Sequence, residues 1–511
     1  MAAQMRQSAP PPSRAIRARA CIHLRFTIAL WSSMEAGPAA LDEGTLSRVF
    51  AFLTLEERHR TLALVCRRWR QLLYSTQLLH SVAITRERLV TSSEPAMRSL
   101  CSWLQHHAAP HVQRLEIKLA ASNGHWGGAM QFEDLHEQFV ASLMACGAAG
   151  QLTSLHITID CPLWLRRGEL GALTSLRSLR IHAFQQGQEC EQYDHDSSAD
   201  PETVHLNGAA VLTALQDLCL GGDVVGITDP LPLSLTNLHV DGFCQQQHDS
   251  LEQLHCLPRQ MEELTALRTL ALARVYSSSP DDYRQLSQLR QLDRLSLQQC
   301  THLPACLSKL TTLRVLRLYG TPHGWFGQGQ TIAATLGAAL RPLVHLRHLV
   351  LRDIDCLGSG LPLELAGLSL ERFYWLQQHD KASGQLPAGP WLGSLRQVVL
   401  SVPTAAANLR VLSAAQHLEA LAVVDTLGCD NARSRYEFCP AVAAFANGHP
   451  SLRRLGICPS ELPWLAEKYQ AWRELRTRVA HLDIRPSLSI EDGTSLMCEL
   501  GFMASNCTDT F

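Results

Sequence analysis

The sequence predicts an α/β chain in which a small helical module precedes a long solenoid with a parallel sheet along its concave side. Three observations carry that expectation. Two amphipathic helical stretches lie between Leu41 and Leu73, a phrase of the form Leu-x-x-Leu-x-Leu returns from residue 112 to about 486, and no catalytic motif is complete. The expected organisation is a disordered leader over 1–40, with an alternative start at Met34, a helical module over 41–85 and a helical linker over 86–111. The repeat array then fills 112–486, with an acidic insertion near 185–205, and a weakly ordered tail closes the chain over 487–511.

In the first helical stretch Leu46, Val49, Phe50 and Leu53 fall at i, i+3, i+4 and i+7, on one helical face. Thr54 and Glu57 stand at capping-box spacing, so a second helix is expected from about Leu55. Its stripe is Leu62, Val65, Cys66, Trp69, Leu72 and Leu73, with Arg58, Arg60, Arg67, Arg68 and Arg70 mostly clear of it. So small a unit cannot bury both stripes internally, which leaves apolar surface for a partner. The order Val49-Phe50-Ala51-Phe52-Leu53 followed by Val65-Cys66-Arg67-Arg68-Trp69 resembles an F-box, although Asp42 follows Leu41 where that family usually has Pro. The rival reading is an unrelated helical cap on the solenoid, since such arrays require one.

The repeat phrase is clear at Leu152/Leu155/Ile157, Leu176/Leu179/Ile181, Leu215/Leu218/Leu220, Leu267/Leu270/Leu272, Leu292/Leu295/Leu297, Leu313/Leu316/Leu318 and Leu346/Leu349/Leu351. Weaker copies start at Val112, Leu235, Leu370, Leu395, Leu418, Leu452 and Val479. The spacing of roughly 20 to 40 residues resembles that of leucine-rich repeats with insertions. The last two apolar residues of each phrase alternate as in a half-buried strand. No repeat can bury its leucines alone, so the repeats must stack.

Recognition then belongs to the intervening positions, which face away from the leucine core. On successive phrases these read Arg294, Ser296, Gln298; Val315, Arg317, Tyr319; His348, Val350, Arg352; and Arg372, Tyr374, Leu376. The expected target-binding residues are Arg294, Arg317, Tyr319, His348, Arg352, Arg372 and Tyr374. With strands about 4.8 Å apart, a lateral row of Arg317, Arg352, Arg372 and Tyr374 spans roughly 10–15 Å, which suits a short acidic or phosphorylated peptide. The competing reading is a solvated face in which arginine happens to be common.

Composition excludes several classes. A net charge of −2 over 511 residues gives no global footprint for nucleic acid or an acidic membrane. No apolar run approaches the roughly 20 residues that span a bilayer. The 17 cysteines form no Cys-x-x-Cys pair, which fits reduced thiols in cytoplasm or nucleus better than a disulfide framework. Arg6, Arg14, Arg17, Arg19 and Arg25, with no acidic residue before Glu35, also match an organelle transit peptide, the less favoured reading of 1–34. His136-Glu137 lacks the second histidine of a zinc-protease helix because Val140 holds its place, and Gly327 and Gly329 lack the third glycine of a dinucleotide loop. His106, His107 and His111 beside Pro110 read as an exposed loop. No enzyme, metal or cofactor is expected.

The F-box resemblance implies a Skp-family adaptor as partner and, through it, a cullin-RING ubiquitin ligase, with the concave face holding the target for ubiquitination. The residues it places at the adaptor are Leu41, Leu46, Val49, Phe50, Leu53, Leu62, Val65, Cys66 and Trp69. The alternative is a ligase-independent interaction scaffold.

Overall fold

A computed structural model describes residues 43–51, 58, 67–89, 94–121, 129–148, 150–159, 163–165, 167–183, 204–222, 225–227, 230–242, 261–273, 280–298, 300, 303–320, 332–352, 354, 361–376, 384–424, 441–458, 477 and 483–486. The expected leader, the tail and most of the acidic insertion lie outside these residues, as do Leu41, Leu53, Leu62, Val65 and Cys66. The chain divides into two units, Met1–Ala83 and Ile84–Phe511.

The first unit contains α1 (Glu43–Ala51), α2 (Arg67–Leu73) and the short α3 (Thr76–Leu79). Leu46, Phe50, Trp69, Leu72, Leu73 and Leu78 form its apolar core. Phe50 and Trp69 meet edge to face, with ring centroids 5.1 Å apart, so the two helical stripes close on one another.

The strand β1 (Ser81–Leu89) crosses the boundary between the units, and the segment expected as a helical linker therefore begins as a strand. It continues into α4 (Glu94–Trp103) and a single π-turn over Leu104–Ala108, closed by Ala109 N–H donating to Leu104 C=O at 2.8 Å. His106 and His107 are exposed on that turn, so the expected loop is helical up to the residues before Pro110. The next helix, α5 (Ala129–Ala148), carries His136-Glu137.

Each repeat phrase coincides with one strand. These are β2 (Arg114–Ala121), β3 (Ser154–Ile159), β5 (Ser178–Ala183), β7 (Asp217–Gly222), β9 (Asn237–Gly242), β10 (Thr269–Ala273), β11 (Arg294–Gln298) and β12 (Val315–Tyr319). They continue as β13 (His348–Arg352), β14 (Arg372–Leu376), β15 (Gln397–Ser401), β16 (Ala420–Val424), β17 (Arg454–Cys458) and β18 (Asp483–Pro486). With β1 at one edge they make a 15-stranded sheet in chain order, parallel from β2 to β18. The chain is a leucine-rich-repeat solenoid. The early repeats add a second, three-stranded sheet from β4 (Leu163–Leu165), β6 (Val204–Leu206) and β8 (Val225–Ile227), so the end of the expected acidic insertion is strand. Returns also run through 3-10 turns and, in later repeats, through α6 (Ile332–Leu340) and α7 (Val402–Leu412).

Two local devices recur. In the Leu-x-x-Leu turn the amide of the phrase's first leucine bonds the carbonyl three residues earlier, as in Leu292 to Leu289 and Leu313 to Leu310. At each strand start one carbonyl then accepts two successive amides of the next repeat: Asp293 C=O from Arg314 and Val315, Arg314 C=O from Arg347 and His348, Arg347 C=O from Glu371 and Arg372. This spine runs from the Gln113 carbonyl to the amides of Arg453 and Arg454, with bonds of 2.8–3.1 Å throughout.

The phrase leucines are core: Leu295, Leu297, Leu316, Leu318, Leu349 and Leu351 are all buried. In the later repeats Phe373, Trp375 and Trp391 enlarge that core, and the indole N–H of Trp391 donates to the Pro387 carbonyl at 2.8 Å. Among the described residues no helix is long and apolar enough to cross a membrane.

Candidate functional site

Strand alternation puts the intervening residues on one face, and the registers fix their rows. Arg294, Val315, His348 and Arg372 are partners along the first row; Ser296, Arg317, Val350 and Tyr374 along the second; Gln298, Tyr319, Arg352 and Leu376 along the third. Arg317, Arg352 and Arg372 thus occupy three different rows on three adjacent strands. The cations form a triangular patch, broader than a single lateral row, with His348 between them.

Arg294 is exposed and lies 3.5 Å from Asp293, which also meets Arg314 at 3.4 Å. Arg317, Tyr319, His348, Arg352 and Arg372 are half-buried. Tyr374 differs from the contact role expected of it. It is only 5% exposed and packs with Val350, Leu376, Val399, Ala420, Ala422 and Val424 into a second apolar cluster on the concave side, with Tyr319 against its margin. The patch therefore has a cationic part over β11–β14 and an apolar flank over β13–β16.

Burial, reinforced by Arg372 and by the more distant Arg317 and Arg294 and opposed by Glu371, pushes the His348 imidazole down to about 4. Burial likewise raises the Tyr374 phenol above its usual range. At neutral pH the patch thus presents arginines and a neutral imidazole, with the neutral Tyr374 phenol buried beside them. That set can donate hydrogen bonds to carboxylate or phosphate oxygens but contains no nucleophile or general base poised near neutrality.

A second polar field lies on the same sheet over β2–β9. Glu116 Oε1 lies 3.7 Å from His156 Nδ1, the rings of His156 and His182 meet edge to face at 5.9 Å, and Cys219 Sγ lies 3.6 Å from His182 Nε2. Asp217 accepts from Ser178 at 2.9 Å and from Arg180 at 3.2 Å. The His182 ring lies over Gly221, where an added Cβ would fall 2.5 Å from Nδ1. Burial, with His156 and His239 adding to it, pushes His182 down to about 4, and burial pushes the Cys219 thiol up to about 12, so this pair is a neutral imidazole beside a protonated thiol. Among the described residues no three His, Cys, Asp or Glu stand together as a metal site. The field was absent from the sequence expectation, although the signal lay in the same intervening positions, which carry His156, Arg180, His182, Cys219 and His239.

The two depressed imidazoles make a pH prediction. The unfolded chain takes up protons on His182 and His348 near pH 6.5, whereas the folded chain resists until about 4. Their effect is absent above about pH 6.5, and stability falls steadily as pH drops from there toward 4. The urea midpoint measured from pH 7.5 to 4 should decline over that window, and His348→Gln should flatten the decline. An unchanged slope in the variant would contradict the assignment.

Of the helical residues expected at an adaptor interface, Leu46, Phe50 and Trp69 are buried in the first unit's own core. Val49 lies on α1 with its side chain outside the described set, as are the remaining five residues of that expectation.

No family model and no curated protein matches the sequence. Among solved structures, the plant peptide hormone receptor RGFR1 in complex with RGF2 aligns at 15% identity and a TM-score of 0.28, covering 74% of this chain and 56% of the receptor chain. The functional domain of InlJ from Listeria monocytogenes aligns at 13% identity and a TM-score of 0.26, covering 63% of this chain and 71% of its own. This chain thus spans little more than half the length of the plant receptor it matches. The repeat fold rests on the sheet register itself, and a stacked array of this kind supplies an extended concave surface for protein binding.

Proposed function

We propose that the chain is a substrate-recognition adaptor of a Skp-cullin-F-box ubiquitin ligase. The helical unit docks a Skp-family adaptor, and the concave patch holds an acidic or phosphorylated target segment for ubiquitination. The observation that carries the target half is the convergence of Arg317, Arg352 and Arg372 with His348 on adjacent strands. Arginine forks donate to carboxylate or phosphate oxygens in bidentate geometry. The ligase half rests on the F-box resemblance of 41–73. Such an adaptor supplies no catalytic group; it raises the effective concentration of the target at the ubiquitin donor.

Affinity purification of the full chain should recover Skp and cullin subunits, and their absence would overturn the ligase half. For the target half, Arg317→Ala/Arg352→Ala/Arg372→Ala should reduce capture of the co-purifying target at least tenfold while Skp recovery persists. Unchanged capture would reject the patch.

One observation favours a second reading, a ligase-independent scaffold with a helical cap. Leu46, Phe50 and Trp69 are turned into the unit's own core, as a self-contained cap requires. Target recovery without Skp or cullin would select it.

A further inference from the structure

In the layer of return segments, the sequence from Arg284 to Leu292 reads as three triplets, Arg-Gln-Leu, Ser-Gln-Leu and Arg-Gln-Leu. A 3-10 helix has three residues per turn, so residues three apart eclipse one another. Pro280–Gln288 is such a helix, and the matched period sorts the triplets into columns. Leu286, Leu289 and Leu292 are fully buried. Arg284, Ser287 and Arg290 make one polar column and Gln285, Gln288 and Gln291 another, both continuing past the helix into the turn before β11. The two columns line a single cleft of about 820 Å³, which Glu262 and Thr265 of the preceding return and Lys309 of the following one complete.

Among the described residues, no aromatic or aliphatic side chain lines this cleft. Its cations are Arg284, Arg290 and Lys309, against the single carboxylate of Glu262. None of the three has an ion-pair partner among the described residues. Gln285 Oε1 likewise has no donor among them.

We propose that this cleft binds an extended acidic segment of a partner protein. The spacing argues for an extended chain. Eclipsed residues of a 3-10 helix repeat about every 6 Å, close to the roughly 6.6 Å between same-facing groups of an extended peptide. Each glutamine amide both donates and accepts, so the exposed Gln288 and Gln291 can pair with main-chain groups of such a segment. Arg284 and Arg290 sit two triplets apart and line the same cleft, so one extended chain with spaced carboxylates can meet both. Nucleic acid is disfavoured because no aromatic side chain among the described lining residues offers a stacking platform for bases. The site is independent of the concave patch and of the ligase reading.

Fluorescence anisotropy of the full chain with a fluorescein-labelled twelve-residue peptide of alternating Thr and Glu tests this. It should bind at least about tenfold more tightly than the alternating Thr and Gln peptide. Arg284→Gln/Arg290→Gln should weaken it about tenfold or more, whereas Arg268→Gln/Arg410→Gln, which removes two exposed charges elsewhere, should not. Gln288→Ala should weaken it by a few-fold; no effect would overturn the extended main-chain pairing. Binding should persist in Arg317→Ala/Arg352→Ala/Arg372→Ala, and its loss there would move the site to the concave patch and overturn the proposal. Failure of the wild type to bind, equal weakening by both glutamine doubles, or tighter binding of a twelve-nucleotide oligothymidine would each overturn it as well.

Discussion

Trp391→Ala should destabilise the solenoid by about 3–5 kcal/mol, the range for deleting a fully buried indole. Trp391 is completely buried, meets Phe373 edge to face at 5.5 Å and donates its N–H to Pro387. It lies on a return turn, so the void opens between the outer layer and the sheet, where β14 and β15 cannot collapse without breaking their ladder. Nearby, the fully buried Asn408 ties α7 back to the same return, its amide donating to Gly384 and Thr404 and its oxygen accepting from Leu386 at 2.7–2.8 Å. Because repeats are stabilised mainly by their neighbours, the loss should appear as early melting of the later repeats, ahead of the rest. Urea unfolding followed by circular dichroism and by hydrogen exchange reads both effects. A shift under about 1 kcal/mol, or a loss spread evenly over all repeats, would contradict this account of the packing.

Trp69→Ala should strongly destabilise the first unit. Trp69 packs with Leu46, Phe50, Leu72, Leu73 and Leu78 and meets Phe50 edge to face. Removing a buried Trp costs about 3–5 kcal/mol, a large share of the roughly 5–15 kcal/mol by which native domains are stable. Loss of Skp recovery in Trp69→Ala would therefore report a lost fold as readily as a lost contact. Trp69→Phe keeps the edge-to-face pair and should preserve both helicity and any Skp recovery. Proteolysis of the first unit compared between the two variants distinguishes them: a resistant Trp69→Ala chain would show that Trp69 carries little of the core.

The repeat strands were legible because a Leu-x-x-Leu-x-Leu phrase has only one way to bury its apolar residues beside copies of itself. The short β4, β6 and β8 were not, since three-residue strands such as Val204–Leu206 carry no periodicity, and their pairing depends on the stacking of the larger sheet. The concave cations were legible from alternation, which tells which face a side chain takes. It does not tell how crowded that face is. Tyr374 and Val350 share the face and row of Arg317 yet are buried, because that row continues through Val399 and Ala422 and Leu376 of the next row packs beside them. The triplets of 284–292 hid behind the repeat phrase, whose first leucine, Leu292, belongs to both patterns. In the helical unit Leu46, Phe50, Trp69, Leu72 and Leu73 of the apolar stripes are buried, but the same stripe serves a core or an interface, and only packing distinguishes the two.

The shared carbonyl at each strand start has a consequence for how such a chain tolerates change. Each repeat takes its alignment from two amides at its own threshold and needs no fixed count of residues since the last one. Errors of length therefore do not accumulate along the array. The returns between strands can grow, shrink or acquire helices, as they do between β12 and β13, while every later strand stays in phase. The outer layer, including the cleft over 284–291, is free to diversify on a sheet whose register is renewed at every turn of the solenoid.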